Sequence, residues 1–373
     1  METMTHVERF ENAVACKPVD RTCYVNFDGG LIGKYANPEF RPGDLYTRPS
    51  WAIEQIIAGA KKMGGDTVPP YLYGPMMALD PTGSYYKTPG RELPPDDICQ
   101  AFETNPLKDE HLDYILENGV QAWEDEFVVP NYPEWTYEEF DKGLAISAEY
   151  GEKWREATAD DPWYDLPIPG WGGAMIYGMA RGVVETLIDM YEQPEKVAKV
   201  VRMFDEWEMA QNEAMAAEWG GMQAVCVSAG RFDNKQAGPD SFDETMWPSY
   251  KFAIDYANEH DLKLFVHADG AWEHTIKRHL HEFPAGRTIF QLDGFTDVPA
   301  VADLFVKHQI CFFGDVHPAM LAFGKPEEVY DRVIYLRKTF GDGLILSSGC
   351  GAPWNMKMEN IDAFVEAART PNF

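Results

Sequence analysis

The chain has 373 residues, 45% of them hydrophobic, enough for a substantial core and too apolar for a disordered protein. Its 61 acidic side chains outnumber 32 basic ones, giving a formal net charge of −29. That excess excludes nucleic acid and anionic membrane as partners and disfavours a polyanionic substrate, unless basic residues are concentrated in the pocket.

The first segment, METMTHVERFENAVAC, has the spacing of an amphipathic helix; it carries Glu8 and Glu11 and lacks the apolar centre of a signal peptide. Residues 51–63 repeat the helical period and stop at Gly64 and Gly65. From Tyr71 to about Gly172 the chain is dense in Pro, Tyr, Trp and Asp, which predicts long loops with a few helices. A long helical pattern then runs from Gly182 to about Trp219, broken at Pro194.

Beyond it, β-prone runs alternate with amphipathic helices. The runs are Gln223–Ser228, Leu262–His267, Thr288–Leu292, Ile310–Phe313 and Leu344–Leu346, and the helices begin near Asp243, Ala271, Val298 and Pro326. Such alternation predicts a parallel sheet with right-handed crossovers. Five consecutive units with room upstream favour a closed α/β barrel, the (β/α)8 TIM barrel with N-terminal helices and long inserted loops. No G-x-G-x-x-G follows a strand, which argues against an open nucleotide-binding sheet. With no Gly/Ser linker and no repeat, residues 1–373 are expected to be a single barrel domain with a loop-rich insertion around 70–172. No apolar stretch is long enough to span a membrane, and six cysteines without regular spacing do not suggest a disulfide framework, so a cytoplasmic location is expected.

In such a barrel, functional side chains gather where the strands end. Just past the runs stand Ser228, Arg231 and Asp233; then His267, Asp269 and Gly270; Gln291 and Asp293; Asp315 and His317; and Ser347 to Cys350. One account of this polar rim is a metal. In H-x-D, alternate residues of an extended segment point the same way, so His267 and Asp269 can converge on one ion. Cys350, two to three βα units later, can supply a thiolate while a fourth position stays open for substrate.

The plainer account has Asp269 capping the next helix, His267 donating to backbone and Cys350 packed as a small residue at a turn. Both readings remain open from spacing alone. His317 beside Asp315 is a candidate acid/base or substrate donor, and Arg231 with Asp233 is either a rim ion pair or a substrate contact. Trp163, Trp171, Tyr177 and Trp272 are candidates to line a pocket for a ring. Cys226 is expected in the core, and Cys311 begins a strand, at the wrong end of the barrel for chemistry. His274, His279 and His281 share one helix, where structural or solvated roles are the default.

The segments ERFENAVACKPVDR, LKLFVHADG, FFGDVHPAMLAFGKPEEV and GLILSSGCGAPWNMKMENIDAF resemble the uroporphyrinogen decarboxylase superfamily, specifically its corrinoid-dependent methyltransferase branch. The likeness covers about residues 5–25 and 220–368. True decarboxylases of the superfamily carry an arginine-bearing loop soon after the N-terminal helix, for a tetrapyrrole with many carboxylates; here that region reads CYVNFDGGLIGKY, without arginine.

The methyltransferase branch has a zinc motif of His-x-Cys followed by a distant Cys. His267 matches the histidine, Cys350 the second cysteine, and Asp269 stands where the first cysteine belongs. The resemblance thus implies Zn2+ held by His267, Asp269 and Cys350. From their places at the rim, Asp315 or His317 is expected to orient substrate or protonate a leaving oxygen, Asp233 or His317 to transfer the proton in a decarboxylation, and Ser228, Arg231, Gln291 or Trp272 to touch substrate. The resemblance also implies a corrinoid (cobalamin) carried by a partner protein, since nothing in this chain resembles a cobalamin-binding domain, and is compatible with a homo-oligomer. A carboxylate in place of a thiolate leaves zinc a harder Lewis acid, suited to an ether oxygen. The expected reaction is O-demethylation of a methoxylated aromatic compound. The alternatives are methyl transfer to a thiol and a metal-free decarboxylation.

Overall fold

The computed structural model describes residues 2–69, 82, 85–102, 104–165, 170–217, 221–228, 230 and 232–371. Strands β1 (Cys23–Tyr24), β4 (Ala224–Ser228), β5 (Lys263–Ala268), β6 (Thr288–Leu292), β7 (Cys311–Val316) and β8 (Leu344–Ser348) form one parallel sheet in the order β1-β8-β7-β6-β5-β4. A small antiparallel pair, β2 (Tyr85–Lys87) and β3 (Gln100–Phe102), lies apart from it.

Two short segments carry the ring onward from β1. The Asp66 N–H donates to the Tyr24 carbonyl at 2.7 Å, and Thr67 bridges in parallel to Tyr164. On the far side, the Ser228 N–H donates to the Trp171 carbonyl at 2.7 Å. These segments take the second and third places of an eight-membered ring, and the fold is a (β/α)8 barrel.

Alternation along the strands decides which side chains fill it. Cys23, Val25, Cys226, Phe265, Ile289, Cys311, Phe313 and Ile345 point inward with Tyr164, and Phe10, Ala13 and Val14 of the helix His6–Val14 close one end beneath them. The intervening residues, among them Val225, Leu264, Val266, Phe290, Phe312 and Leu346, face the surrounding helices. Cys226 is therefore barrel core, as expected, Cys311 shares that core, and all six cysteines are free.

Proline and glycine set several helix limits. Pro49 opens Pro49–Met63, which Gly64 ends in a left-handed conformation (φ 70°), and Pro326 opens Pro326–Phe340. The break at Pro194 separates Val183–Glu192 from Pro194–Ala217. Part of the stretch expected to be loop-rich is the 22-residue helix Thr136–Ala157, whose buried Ile146, Tyr150 and Trp154 recur every fourth residue. Tyr71 to Pro81 lie outside the described residues. Among the described residues no helix is long and apolar enough to cross a membrane.

Candidate metal centre at the barrel mouth

Continuing the inward alternation by one step puts Ser228, His267 and Gln291 level on adjacent strands, above the apolar filling. Gln291 is not free to meet a ligand with its carbonyl: its Oε1 lies 2.6 Å from His267 Nδ1. That contact places the ring proton on Nδ1 and turns Nε2 towards the loop beyond β5. There it lies 3.3 Å from Asp269 Oδ2 and 4.0 Å from Cys350 Sγ, with Sγ and Oδ2 3.8 Å apart. The ligand atoms of His267, Asp269 and Cys350 all lie within 4.8 Å of one another.

Those separations suit one ion. Bonds of about 2.0–2.3 Å around a tetrahedral zinc put its ligands about 3.3–3.6 Å apart. Asp269 Oδ1 is buried and has no hydrogen-bond partner, an orphaned carboxylate oxygen that a cation would satisfy. The donor set of imidazole, carboxylate and thiol is also one zinc accepts. Burial alone would lower the His267 pKa, but hydrogen bonds to Asp269 and Cys350 outweigh it and push the ring up to about 10. The residues present therefore fit a metal.

The plainer readings of Asp269 and His267 do not hold. Asp269 caps nothing: the helix Glu273–His279 has Trp272 at its N-cap and no side-chain cap bond. His267 donates to a side chain, not to backbone.

The loop that presents Asp269 is tied at almost every polar group. Asp293 Oδ2 accepts the Gly270 N–H and Asp233 Oδ2 accepts the Ala271 N–H, both at 2.8 Å. Thr296 Oγ1 accepts the Trp272 N–H and donates to the Gly270 carbonyl, while Trp272 Nε1 donates to the Asp269 carbonyl. Gly270 is required here: its φ is 92°, and a Cβ would sit 2.3 Å from Asp233 Oδ2. On the opposite loop a Cβ at Gly349 would lie 2.3 Å from the Asp293 carbonyl oxygen, so the approach that delivers Cys350 depends on glycine. Ser348 Oγ donates to the Cys350 carbonyl at 2.6 Å.

The other predicted residues separate into distinct places. Asp233 has both oxygens committed, since Oδ1 also caps the turn Asn234–Ala237 through the N–H groups of Lys235 and Gln236. Asp315 is not on the rim loop: β7 runs on to Val316, and the carboxylate is buried against Arg332, with Nη2 2.6 Å from each oxygen. Burial pushes its carboxyl up to about 6 in spite of that cation. His317 caps Pro318–Phe323, its Nδ1 accepting the Ala319 N–H at 3.0 Å, so the neutral ring carries its proton on Nε2.

Ser228 is fully buried, its Oγ accepting the Gly230 N–H. Arg231 lies outside the described residues. Of the four aromatic candidates, Trp171 meets the cluster, its half-exposed ring edge-on to His267 with centroids 5.8 Å apart. Tyr177 and Trp272 are core, and Trp163 packs between His6 and Trp154.

Sequence reasoning passed over two residues that shape the site. Glu208 accepts the N–H groups of Trp171 and Gly172, fixing the turn that carries Trp171. Its distance along the chain from both left no local signal. Thr296 gave none either, because a threonine past a strand reads as an ordinary loop residue.

A family model for uroporphyrinogen decarboxylase (URO-D) matches residues 173–371, which include β4 to β8 and all three members of the cluster. No curated protein matches the chain. Among solved structures, a methyltransferase from Methanosarcina mazei is similar over 98% of each chain, with a TM-score of 0.66 at 14% sequence identity. At that identity what is shared is the fold, and it extends the likeness over the first half of the chain, where the family model is silent. The chain belongs to the uroporphyrinogen decarboxylase family.

Proposed function

We propose that this chain, as one barrel domain in the cytoplasm, is a zinc-dependent methyltransferase. It moves a methyl group from a small methoxylated aromatic compound to the cobalt of a corrinoid held by a partner protein. The observation that carries this reading is the convergence of His267, Asp269 and Cys350 at the barrel mouth, with one carboxylate oxygen buried and unpaired. The fold shared with a methyltransferase supports the reaction class.

Zinc held by His267, Asp269 and Cys350 would supply a Lewis acid at the mouth, made harder by the carboxylate than by a second thiolate. The protein's own groups do the rest. Gln291 holds the His267 ring by its Nδ1 proton, and Asp233 and Asp293 hold the backbone beside Asp269. The half-exposed Trp171 ring beside His267 is the wall for an aromatic substrate. His317, with Nδ1 accepting from Ala319, has an Nε2–H to give to a leaving oxygen. As the carbon–oxygen bond breaks, both its electrons stay on that oxygen, which takes the proton.

The test is metal content by mass spectrometry on untagged protein, together with methyl transfer from methoxyarenes to a reduced corrinoid protein. Metal bound in wild type and lost from the mouth in His267→Ala and Cys350→Ala, with turnover lost in both, is the expected result. A protein that methylates cobalt from no methoxyarene, yet transfers methyl readily to a thiol, has the thiol reaction instead. Absence of metal from active wild type sinks the zinc reading.

A further inference from the structure

We infer that Glu208 is a positioning residue for donor binding: by gripping the turn 170–173 it fixes the Trp171 ring beside the metal cluster and so favours a flat aromatic donor. This rests on the aromatic-donor reading above and goes beyond it in naming what selects the donor.

Four consecutive N–H groups of the turn point at side chains from two distant helices. Trp171 and Gly172 donate to Glu208 Oε1 and Oε2 at 2.9 and 2.7 Å. Gly173 donates to Asp205 Oδ1 at 2.6 Å, and Ala174 to Ser249 Oγ at 3.3 Å. Asp205 and Glu208 share one face of Pro194–Ala217, while Ser249, from Trp247–Glu259, gives its own proton to Asp205 Oδ1. Capping accounts for part of this. The helix Gly173–Arg181 has Gly172 at its N-cap and no side-chain cap there, so Asp205 and Ser249 serve its first N–H groups. The two Glu208 bonds fall before that helix, on the residue that bears the ring and on its neighbour.

The other backbone group of Trp171 is fixed as well. Its carbonyl accepts the Ser228 N–H at 2.7 Å, and Ser228 is level with His267 in the sheet register. Glycine lets the turn lie this close to the helix. A Cβ at Gly170 would sit 2.5 Å from Glu208 Cδ, and one at Gly173 2.2 Å from the Val201 carbonyl oxygen. Gly170 and Gly172 also have φ of 66° and 87°. Trp171 is thus the one residue of the turn with a side chain, and that side chain is left 38% exposed. So tight a mount does not serve to bury the ring; it holds a flat face at a set distance from His267. A ring ordered before the donor arrives loses little freedom on binding, and more of the stacking energy appears as affinity.

The test joins fluorine spectra of the full chain labelled with 5-fluorotryptophan to methyl-transfer kinetics with 2-methoxyphenol and a reduced corrinoid protein. Glu208→Gln keeps the shape but sets an amide NH2 against one of the two N–H donors. The Trp171 line, identified by its loss in Trp171→Phe, is expected to shift or broaden, while the other tryptophan lines stay in place and report an intact fold. KM for 2-methoxyphenol should rise about three- to tenfold with kcat within about twofold of wild type, and the same change should raise KM no further in a Trp171→Ala background. An unmoved Trp171 line overturns the inference. So does a moved line with KM unchanged, or an equal rise in KM when Trp171 is already absent. Failure of the aromatic-donor reading looks different, because wild type then transfers methyl from no methoxyarene. In that case a moved line still upholds Glu208 as the residue that positions the ring, and an unmoved one still overturns it.

Discussion

Gln291 Oε1 and His267 Nδ1 lie 2.6 Å apart on neighbouring strands, level in the sheet register. A barrel rim side chain expected to touch substrate instead sets the tautomer and tilt of a candidate ligand. Replacing Gln291 with Leu keeps the bulk and removes the acceptor. Zinc affinity, measured by competition with a chelator, should fall by about 10–100-fold with the fold intact. An unchanged affinity would show that the ring is held by packing alone.

Gly349→Ala touches no ligand, but its Cβ would overlap the Asp293 carbonyl and push the Cys350 loop away. Loss of metal, with far-UV circular dichroism unchanged, is the expected outcome. Normal metal content in this variant would mean that the two loops can separate without moving Cys350.

Asp293 joins the loops from the other side, through the N–H groups of Gly270 and Phe295. In Asp293→Ala two part-buried hydrogen bonds are lost, each worth about 0.5–1.5 kcal/mol. The prediction is a lower unfolding midpoint together with weaker metal binding. A stability loss with metal affinity untouched would separate the loop from the ligand it carries.

Trp171→Ala should raise KM for an aromatic methyl donor while leaving metal content at the wild-type level, and Trp171→Phe should restore most of the binding. Equal KM values in all three proteins would remove Trp171 from the substrate wall.

Asp205 is fully buried; burial pushes its carboxyl up to about 7, opposed by the Ser249 hydroxyl and the Gly173 N–H it accepts. Because the folded value lies above the ordinary one, the folded state binds the proton more tightly. Its contribution is complete below about pH 4 and is lost as pH rises through 7. Wild type should therefore gain stability to urea between pH 8 and pH 6, and Asp205→Asn should show a flatter dependence there. Asp28 and Asp315, each pushed up to about 6 by burial, act with the same sign at lower pH. Identical pH profiles for wild type and variant would contradict the assignment to Asp205.

The second half of the chain was legible because each barrel strand there is a run of β-formers bounded by turn residues. All five predicted runs became strands, with ends shifted by up to three residues. That shift mattered once: three residues more in β7 moved Asp315 from the rim into a buried pair with Arg332. The second and third ring places had no such run to find, since Thr67 and Tyr164 meet in a single bridge. The helix Thr136–Ala157 was obscured by a polar surface and a narrow buried stripe.

His267, Asp269 and Cys350 could be nominated from sequence, because H-x-D after a strand and a cysteine after the last strand place side chains on one rim. What sequence could not do was sort the remaining polar residues of that rim. Gln291, Asp233, Asp293, Asp315 and His317 all follow or end strands, and composition treats them alike. Only the tertiary structure assigned one to an imidazole, two to backbone N–H groups of a neighbouring loop, one to an arginine and one to a helix end. Those partners come from other βα units, and a hydrogen bond is decided by distance in space, which the chain order does not contain.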